Sequence, residues 1–536
     1  MARLYADGAR ASSRLAATAP LLLFSIAMST PVYRGEARAP DFPSGLDWFN
    51  AGRPIRLADL KGKIVLLDFW TTCCINCMHV ISDLKRLEEK HKDALVVIGV
   101  HTPKFTAERD STNILEAILR YEITHPVVND CNFDLWQSHA VRAWPTIVVI
   151  DPEGKVVGSV SGEGAYDTFD PVIASMISDF GARGLLKRGP LAVPLAREAP
   201  RDELYAFPGK VLADEAGGRL FIADTNKNRI VVARVPEGRV LDIVAGGPAG
   251  FADGGFEEAR LNRPQGIAVR GDLIYIADTE NHAVRVADLR ARTVATLAGT
   301  GAQARPDAAP AGGGRGRDVA LNSPWDVALA RGLLFVAMAG AHQIWRIDPA
   351  TGDAAPHAGS GSEARIDGPL RVAALAQPSG IATDGERLYF ADSEASAIRA
   401  ADVDPGGAVE TIVGLDLFEF GDRDGVGDDV RLQHPLGVAW KDGALYVADT
   451  YNNKIKRLDP RARRCETIFG CGDAGFEDNP DGHLAYLNEP GGVTAFRDLL
   501  YIADTNNHAI RVANLATGAL LTFVALDLSK FEYRMA

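Results

Sequence analysis

The sequence predicts two folded units in one chain, an α/β layered domain followed by an all-β six-bladed propeller. Three observations predict this. The chain has 536 residues, more than one ordinary domain accommodates. In its first third, apolar strand-like runs alternate with amphipathic helix-like segments. From about residue 203 one unit recurs six times, with each copy long enough for four short strands.

Composition narrows the class. The chain is 47% hydrophobic and 24% charged, as a folded soluble protein is, and its 53 glycines suit turn-rich β structure. A formal net charge of -13 argues against nucleic-acid binding, which needs a basic face. The six cysteines, Cys73, Cys74, Cys77, Cys131, Cys465 and Cys471, are too sparse for a disulfide scaffold. Three fall within five residues, which points to chemistry rather than stapling.

Residues 1–40 form an N-terminal extension with two readings. Arg3, Arg10 and Arg14 precede an apolar run from Ala16 to Met28, and Ala37-Arg38-Ala39 could serve as a cleavage site, as in a secretory signal. The other reading is an Ala/Arg-rich extension. The first places the protein in the periplasm or outside the cell, the second in the cytoplasm, toward which the reading leans. The run is short for a membrane helix and no later segment qualifies, so no transmembrane span is expected.

The first domain runs over residues 41–184. Ile64 to Phe69 reads as a buried central strand. Met78, Ile81, Leu84 and Leu87 recur every three residues opposite a charged face, an amphipathic helix. Leu95–Val100 is a second buried strand. Ser111–Tyr121 reads as a helix, Pro126–Val128 as a short strand and Asn132–His139 as helical. Thr146–Ile150 and Lys155–Val160 form a hairpin across Asp151-Pro-Glu-Gly154, and a helix near Phe169–Phe180 closes the domain.

The cysteines sit where the first strand hands over to the first helix. Cys74 falls at the helix N-terminus, where free N–H groups and the helix dipole favour a thiolate. Cys77 lies one turn on and can resolve a mixed disulfide. Asp68 ends the buried strand, where a carboxyl can take up and return protons. Trp144-Pro145-Thr146 precedes the next strand, and an X–Pro bond there can be cis and bring backbone beside the dithiol. A zinc site would need a second ligand pair, and none has suitable spacing. An α/β domain with vestigial cysteines is the other alternative. Cys131 reads as an incidental thiol or a second resolving partner, and His79 as a surface residue.

Asp68-Phe-Trp-Thr-Thr-Cys-Cys-Ile-Asn-Cys77, with Trp144-Pro-Thr146, resembles the thioredoxin superfamily, nearest to thiol-disulfide oxidoreductases of the TlpA/ResA type. The resemblance implies Cys74 as nucleophile, Cys77 as resolving thiol, Asp68 as buried proton acceptor, Pro145 as cis-proline and Trp70 as the flanking aromatic, with Trp144 beside it. It implies no cofactor beyond the redox-active disulfide. One position departs: Cys73 stands where thioredoxins carry tryptophan, which leaves open which two of Cys73, Cys74 and Cys77 pair.

Residues 185–202 read as a linker, and residues 203–536 as the propeller. Leu220-Phe-Ile-Ala-Asp-Thr225 returns in five later copies, aligning Asp224, Asp278, Met338, Asp392, Asp449 and Asp504. Each unit opens with a Pro-x-Gly-Ile-Ala-type strand such as Pro264–Ala268. The repeats resemble the NHL family of propellers, and the domain order with Cys73–Cys77 resembles the NHL-repeat-containing protein 2 family. That family carries a further β-rich C-terminal domain, which this sequence, ending at Ala536, is expected to lack. Leu520–Leu528 reads as an outer strand that closes the ring near Val211. The repeated Asp residues read as turn-tying groups. Asp422-Arg-Asp-Gly-Val-Gly-Asp-Asp429 resembles a calcium loop but has Gln433 where the twelfth-position Glu belongs, so an inter-blade loop is the expectation. Cys465 and Cys471 could bridge across a turn or stay unpaired.

Two functions follow. In the first, Cys74 and Cys77 exchange electrons with a protein or small-molecule disulfide while the propeller docks a partner. In the second, the chain is an interaction scaffold and the first domain is structural.

Overall fold

The computed structural model describes residues 33–191, 193–196, 203–304 and 313–526. The N-terminal run read as a signal lies outside the described residues, as do residue 192 and residues 197–202 of the linker and the last two residues of the expected closing strand.

Ile64–Trp70 is buried along its whole length and forms the middle of a seven-stranded sheet. It pairs in parallel with Leu95–His101 and antiparallel with Thr146–Ile150. Side chains alternate along a strand, and here the alternation places the site. Val65, Leu67 and Phe69 enter one core, while Ile64 and Leu66 face the helices Ile75–His91 and Ala165–Ala182. Asp68 and Trp70 keep the parity of Ile64 and Leu66, which sets them under the helix that begins at the cysteines. The expected helices appear as Ser111–Arg120 and, shorter than read, Asp134–Ser138. Two-residue edge strands, Ala37–Arg38 and Trp48–Phe49, had no periodic signal and complete the sheet.

The second domain is a six-bladed propeller. Each sheet runs from an inner strand such as Pro264–Arg270 outward through the Ala-Asp strand, here Leu273–Asp278. Four blades carry a fifth, two-residue outermost strand beyond the four expected, for example Gly254–Gly255 against Thr293 and Val294. Ring closure differs from the expectation. Val211 pairs with Ile222 inside its own blade, whereas Leu520–Phe523 completes the sixth blade and Leu526 bridges Arg239 at the outer edge of the first. Among the described residues the named strands of each blade come from one contiguous segment, and Leu526 adds a bridge from the last blade to the first.

The inner strands share a register that the repeat only half discloses. The second residue after each opening proline gives Lys210, Gly266, Asp326, Gly380, Gly437 and Gly492. The channel is so tight here that a Cβ on Gly266 would lie 2.3 Å from Asp326 Cα, and one on Gly437 2.9 Å from Gly492 Cα. Into that ring of glycines project Lys210 and Asp326, both buried and 3.8 Å apart as an ion pair. They plug the axis.

The repeated aspartates are structural. Asp278 accepts the Asn262 N–H at 2.7 Å and pairs with the fully buried Arg285, which also reaches Asp253. Asp392–Arg399 and Asp504–Arg511 repeat the arrangement. In the third blade Met338 and Trp345 replace acid and base together, an apolar substitute for a buried pair. The calcium-like run holds a cation of the chain itself: the Lys456 ammonium lies 2.8 Å from Asp422 and 3.0 Å from Asp424. Among the described residues, no group of three or more His, Cys, Asp or Glu side chains is placed to hold a metal ion. Also among them, no helix is long and apolar enough to cross a membrane.

Candidate active site

Cys74 caps the helix Ile75–His91, and its sulfur accepts the Cys77 N–H at 3.2 Å. It is half-buried, whereas Cys73 and Cys77 are fully buried; all six cysteines are free thiols. Burial pushes the Cys77 thiol well up, reinforced by its hydrogen bond to Cys74. Burial does the same to Cys73, with the Glu108 and Glu394 charges adding to it. Of the three clustered cysteines, only Cys74 is partly exposed, and its sulfur accepts a backbone hydrogen bond.

Asp68 is fully buried, and its Oδ1 has no hydrogen-bond partner. Loss of hydration raises its carboxyl to about 7, with His125 pulling it partly back, and its charge is felt at Cys77. A buried acid poised near neutrality beside a buried thiol can take that thiol's proton. The Trp144–Pro145 bond is cis. Trp144 packs in one cluster with Cys74, Cys77 and Trp70. Trp70 is fully buried, edge-on to His101 at 4.9 Å, so it braces the site from below rather than standing at its surface.

The loop leading into the cysteines is pinned by a residue without a sequence signal. Glu108 is buried in the turn Ala107–Arg109. Its carboxylate accepts the Thr71 and Thr72 hydroxyls and the N–H groups of Cys73, Lys104 and Phe105. Burial pushes its carboxyl up, but the neighbouring His101 and then these hydrogen bonds outweigh that and hold it below its ordinary value. Glu108 belongs to no periodic pattern, and only the fold brings it to Thr71.

The second feature invisible in sequence is the propeller's position. It sits directly over the dithiol. Gln377 clamps the loop as a strand would, accepting the Ile75 N–H at 3.0 Å and donating to the Cys73 carbonyl at 2.9 Å. Cys73 fills a pocket between Phe105 and Tyr451. Its small side chain lets the loop approach the propeller where a tryptophan would hold it off. Thr72 meets the Tyr451 hydroxyl at 3.1 Å, and Lys104 forms a buried ion pair with Glu394. His79, read as a surface residue, is buried instead: its ring bonds Glu163 and, at 2.6 Å, Ser323 of the propeller. Arg120 pairs with Glu489 at 2.5 Å on the far side of the contact. Cys131 is half-buried, and Cys465 and Cys471 remain unpaired.

Fold and site define a two-domain protein, a thioredoxin-like domain whose Cys-x-x-Cys lies against an NHL-repeat propeller. The thioredoxin-like family model matches residues 62–156 and the NHL repeat model residues 261–287. The chain is 40% identical to NHL repeat-containing protein 2 of Homo sapiens over 532 residues, 92% of this chain and 73% of that one. It belongs to that family. It is also 44% identical over 510 residues to Protein SUPPRESSOR OF QUENCHING 1, chloroplastic, of Arabidopsis thaliana, of whose length it spans about half (48%). Over 112 residues it is 32% identical to the thiol-disulfide oxidoreductase ResA of Bacillus cereus, 21% of this chain and 62% of that protein. The first domain is thus homologous to thiol-disulfide oxidoreductases.

Proposed function

We propose that this protein is a thiol-disulfide oxidoreductase whose working pair is Cys74 and Cys77. The observation that carries the reading is Asp68, buried, unpartnered on Oδ1 and held near 7 beside Cys77. A purely structural domain has no use for a desolvated carboxyl that costs it stability at neutral pH.

The Cys74 thiolate attacks one sulfur of a disulfide, joins it and expels the other half as a thiolate. Asp68 takes the proton of Cys77, whose sulfur then attacks Cys74, releasing the second half and leaving a Cys74–Cys77 disulfide. Two electrons pass from the dithiol to the substrate. A dithiol donor must then restore the pair. The half-exposed cap position suits Cys74 to the first attack, and the burial of Cys77 suits it to the second. Cys73, wedged between Phe105 and Tyr451, serves the domain contact.

The test is the oxidation of pre-reduced full-length protein by bis(2-hydroxyethyl) disulfide, followed by mass spectrometry. Wild type is expected to end two hydrogens lighter. Cys77→Ser is expected to stop as a mixed disulfide on Cys74, and Cys74→Ser to react far more slowly. An adduct forming as fast in Cys74→Ser as in wild type overturns the assignment. The burial of the dithiol under the propeller also favours a second reading, in which the domains form a rigid binding scaffold. Wild type that stays reduced would favour it.

A further inference from the structure

Granting the redox reading above, we propose that the disulfide reduced here is a small amino-acid disulfide of the cystine type, not one carried by a folded protein. The propeller decides this. A folded protein must bring its disulfide to Cys74 past the backbone that flanks it. Here both flanking groups, the Cys73 carbonyl and the Ile75 N–H, are taken by Gln377. Tyr451 and the Lys104–Glu394 pair cover the neighbouring surface. The axial route is shut as well: Lys210 and Asp326 plug the channel, with the buried Trp325 one position nearer the dithiol.

What remains is a lateral cleft of about 250 Å³ between the domains. Cys74, Asn76, Arg142 and Trp144 form one wall, and Glu363 and Phe418 the other. Pockets that take drug-sized ligands run to roughly 300–1,000 Å³, so this one admits a smaller guest. Its walls carry opposite charges. Arg142 and Glu363 are both exposed, and neither has an ion-pair partner among the described residues. Lys104 and Glu394, deeper in, neutralise one another. The exposed Arg142 guanidinium on one wall and the Glu363 carboxylate on the other, the latter within reach of the Lys104 and Glu394 charges, match the carboxylate and ammonium of an amino acid. Phe418, 69% exposed, offers an apolar lip.

The chemistry is that of the preceding section with cystine as oxidant. Cys74 sulfur bonds to one half-cystine and expels cysteine. Cys77 attacks Cys74, expels the second cysteine and closes the protein disulfide. One cystine becomes two cysteines, and the protein dithiol becomes a disulfide.

The experiment is a single-turnover comparison of three oxidants on the pre-reduced full chain: cystine, uncharged bis(2-hydroxyethyl) disulfide and insulin. Protein disulfide is read by alkylation and mass spectrometry. Cystine is expected to react about tenfold faster than the uncharged disulfide, a charge-pair preference. Insulin is expected to lag cystine by about a hundredfold, a penalty typical of a blocked approach. Arg142→Ala should narrow the cystine preference, and Arg142→Lys should restore part of it. Insulin reacting as fast as cystine overturns the proposal while leaving the dithiol reading intact. Equal rates for the two small disulfides also overturn it. If none of the three oxidises Cys74, the redox reading itself fails and this one falls with it.

Discussion

Replacing Asp68 by Asn should make the protein more stable and its dithiol slower, and the gain in stability should grow with pH. The Asp68 carboxyl titrates near 3.8 when solvated and at about 7 in the fold, chiefly because burial strips its hydration. A folded-state value raised in this way has one consequence. The acid costs nothing while protonated below 3.8, and stability is lost as pH climbs through about 7. The full rise corresponds to roughly 4 kcal/mol at 1.36 kcal/mol per pH unit. By the same linkage the wild-type loss is about 2 kcal/mol at pH 5 and about 4 kcal/mol at pH 8. Asn bears no charge and escapes it. Guanidinium unfolding of the first domain, followed by tryptophan fluorescence at both pH values, should show the advantage of Asp68→Asn widening by about 2 kcal/mol. Closure of the Cys74–Cys77 disulfide from a trapped adduct should slow by about 100-fold or more, the usual share of a general base. An advantage that does not change between pH 5 and pH 8 would refute the claim that Asp68 is desolvated. A variant that is more stable but resolves adducts at the wild-type rate would remove its catalytic role.

Other predictions concern the frame around the site. Glu394→Ala strands the Lys104 ammonium in a buried place, which should cost about 3–5 kcal/mol of domain docking, visible as a new proteolytic cut between the domains. Pairing Glu394→Leu with Lys104→Met should lose much less. In the propeller, Met338→Asp places a carboxylate opposite Trp345 without a cation and should cost a comparable 3–5 kcal/mol, roughly, with Trp345→Arg recovering part of it by thermal unfolding. Glu108→Gln keeps the shape but weakens five hydrogen bonds, three of them to the cysteine loop, so Cys74 alkylation should accelerate as the loop loosens.

Much of this protein is written in local pattern. Continuous apolar runs named the central strands of the first domain and period-three spacing its first helix, because a strand buried on both faces is apolar throughout and a helix buried on one face carries its period. The copied Ala-Asp motif disclosed six blades, since each blade solves the same packing problem. Cys74, Cys77, Asp68 and Pro145 were readable as a set because they lie at one strand-helix junction and at the strand beside it. The face that Asp68 shares with Ile64 and Leu66 was fixed only by the folded sheet, since the run is apolar on both sides.

Other features depended on partners hundreds of residues away, and no local period encodes those. Gln377 on the Cys73–Ile75 backbone, Tyr451 against Thr72 and Glu394 on Lys104 each join a loop of one domain to a turn of the other. His79 looked like a surface residue because its helix face is solvated in an isolated domain, and the propeller buries it. Lys210 and Asp326 meet only because a closed ring brings the first and third blades to one axis. By itself the sequence determined a dithiol at a helix cap and a ring of blades. Only the tertiary structure set one on top of the other, because docking is decided by the match of two surfaces assembled from distant segments.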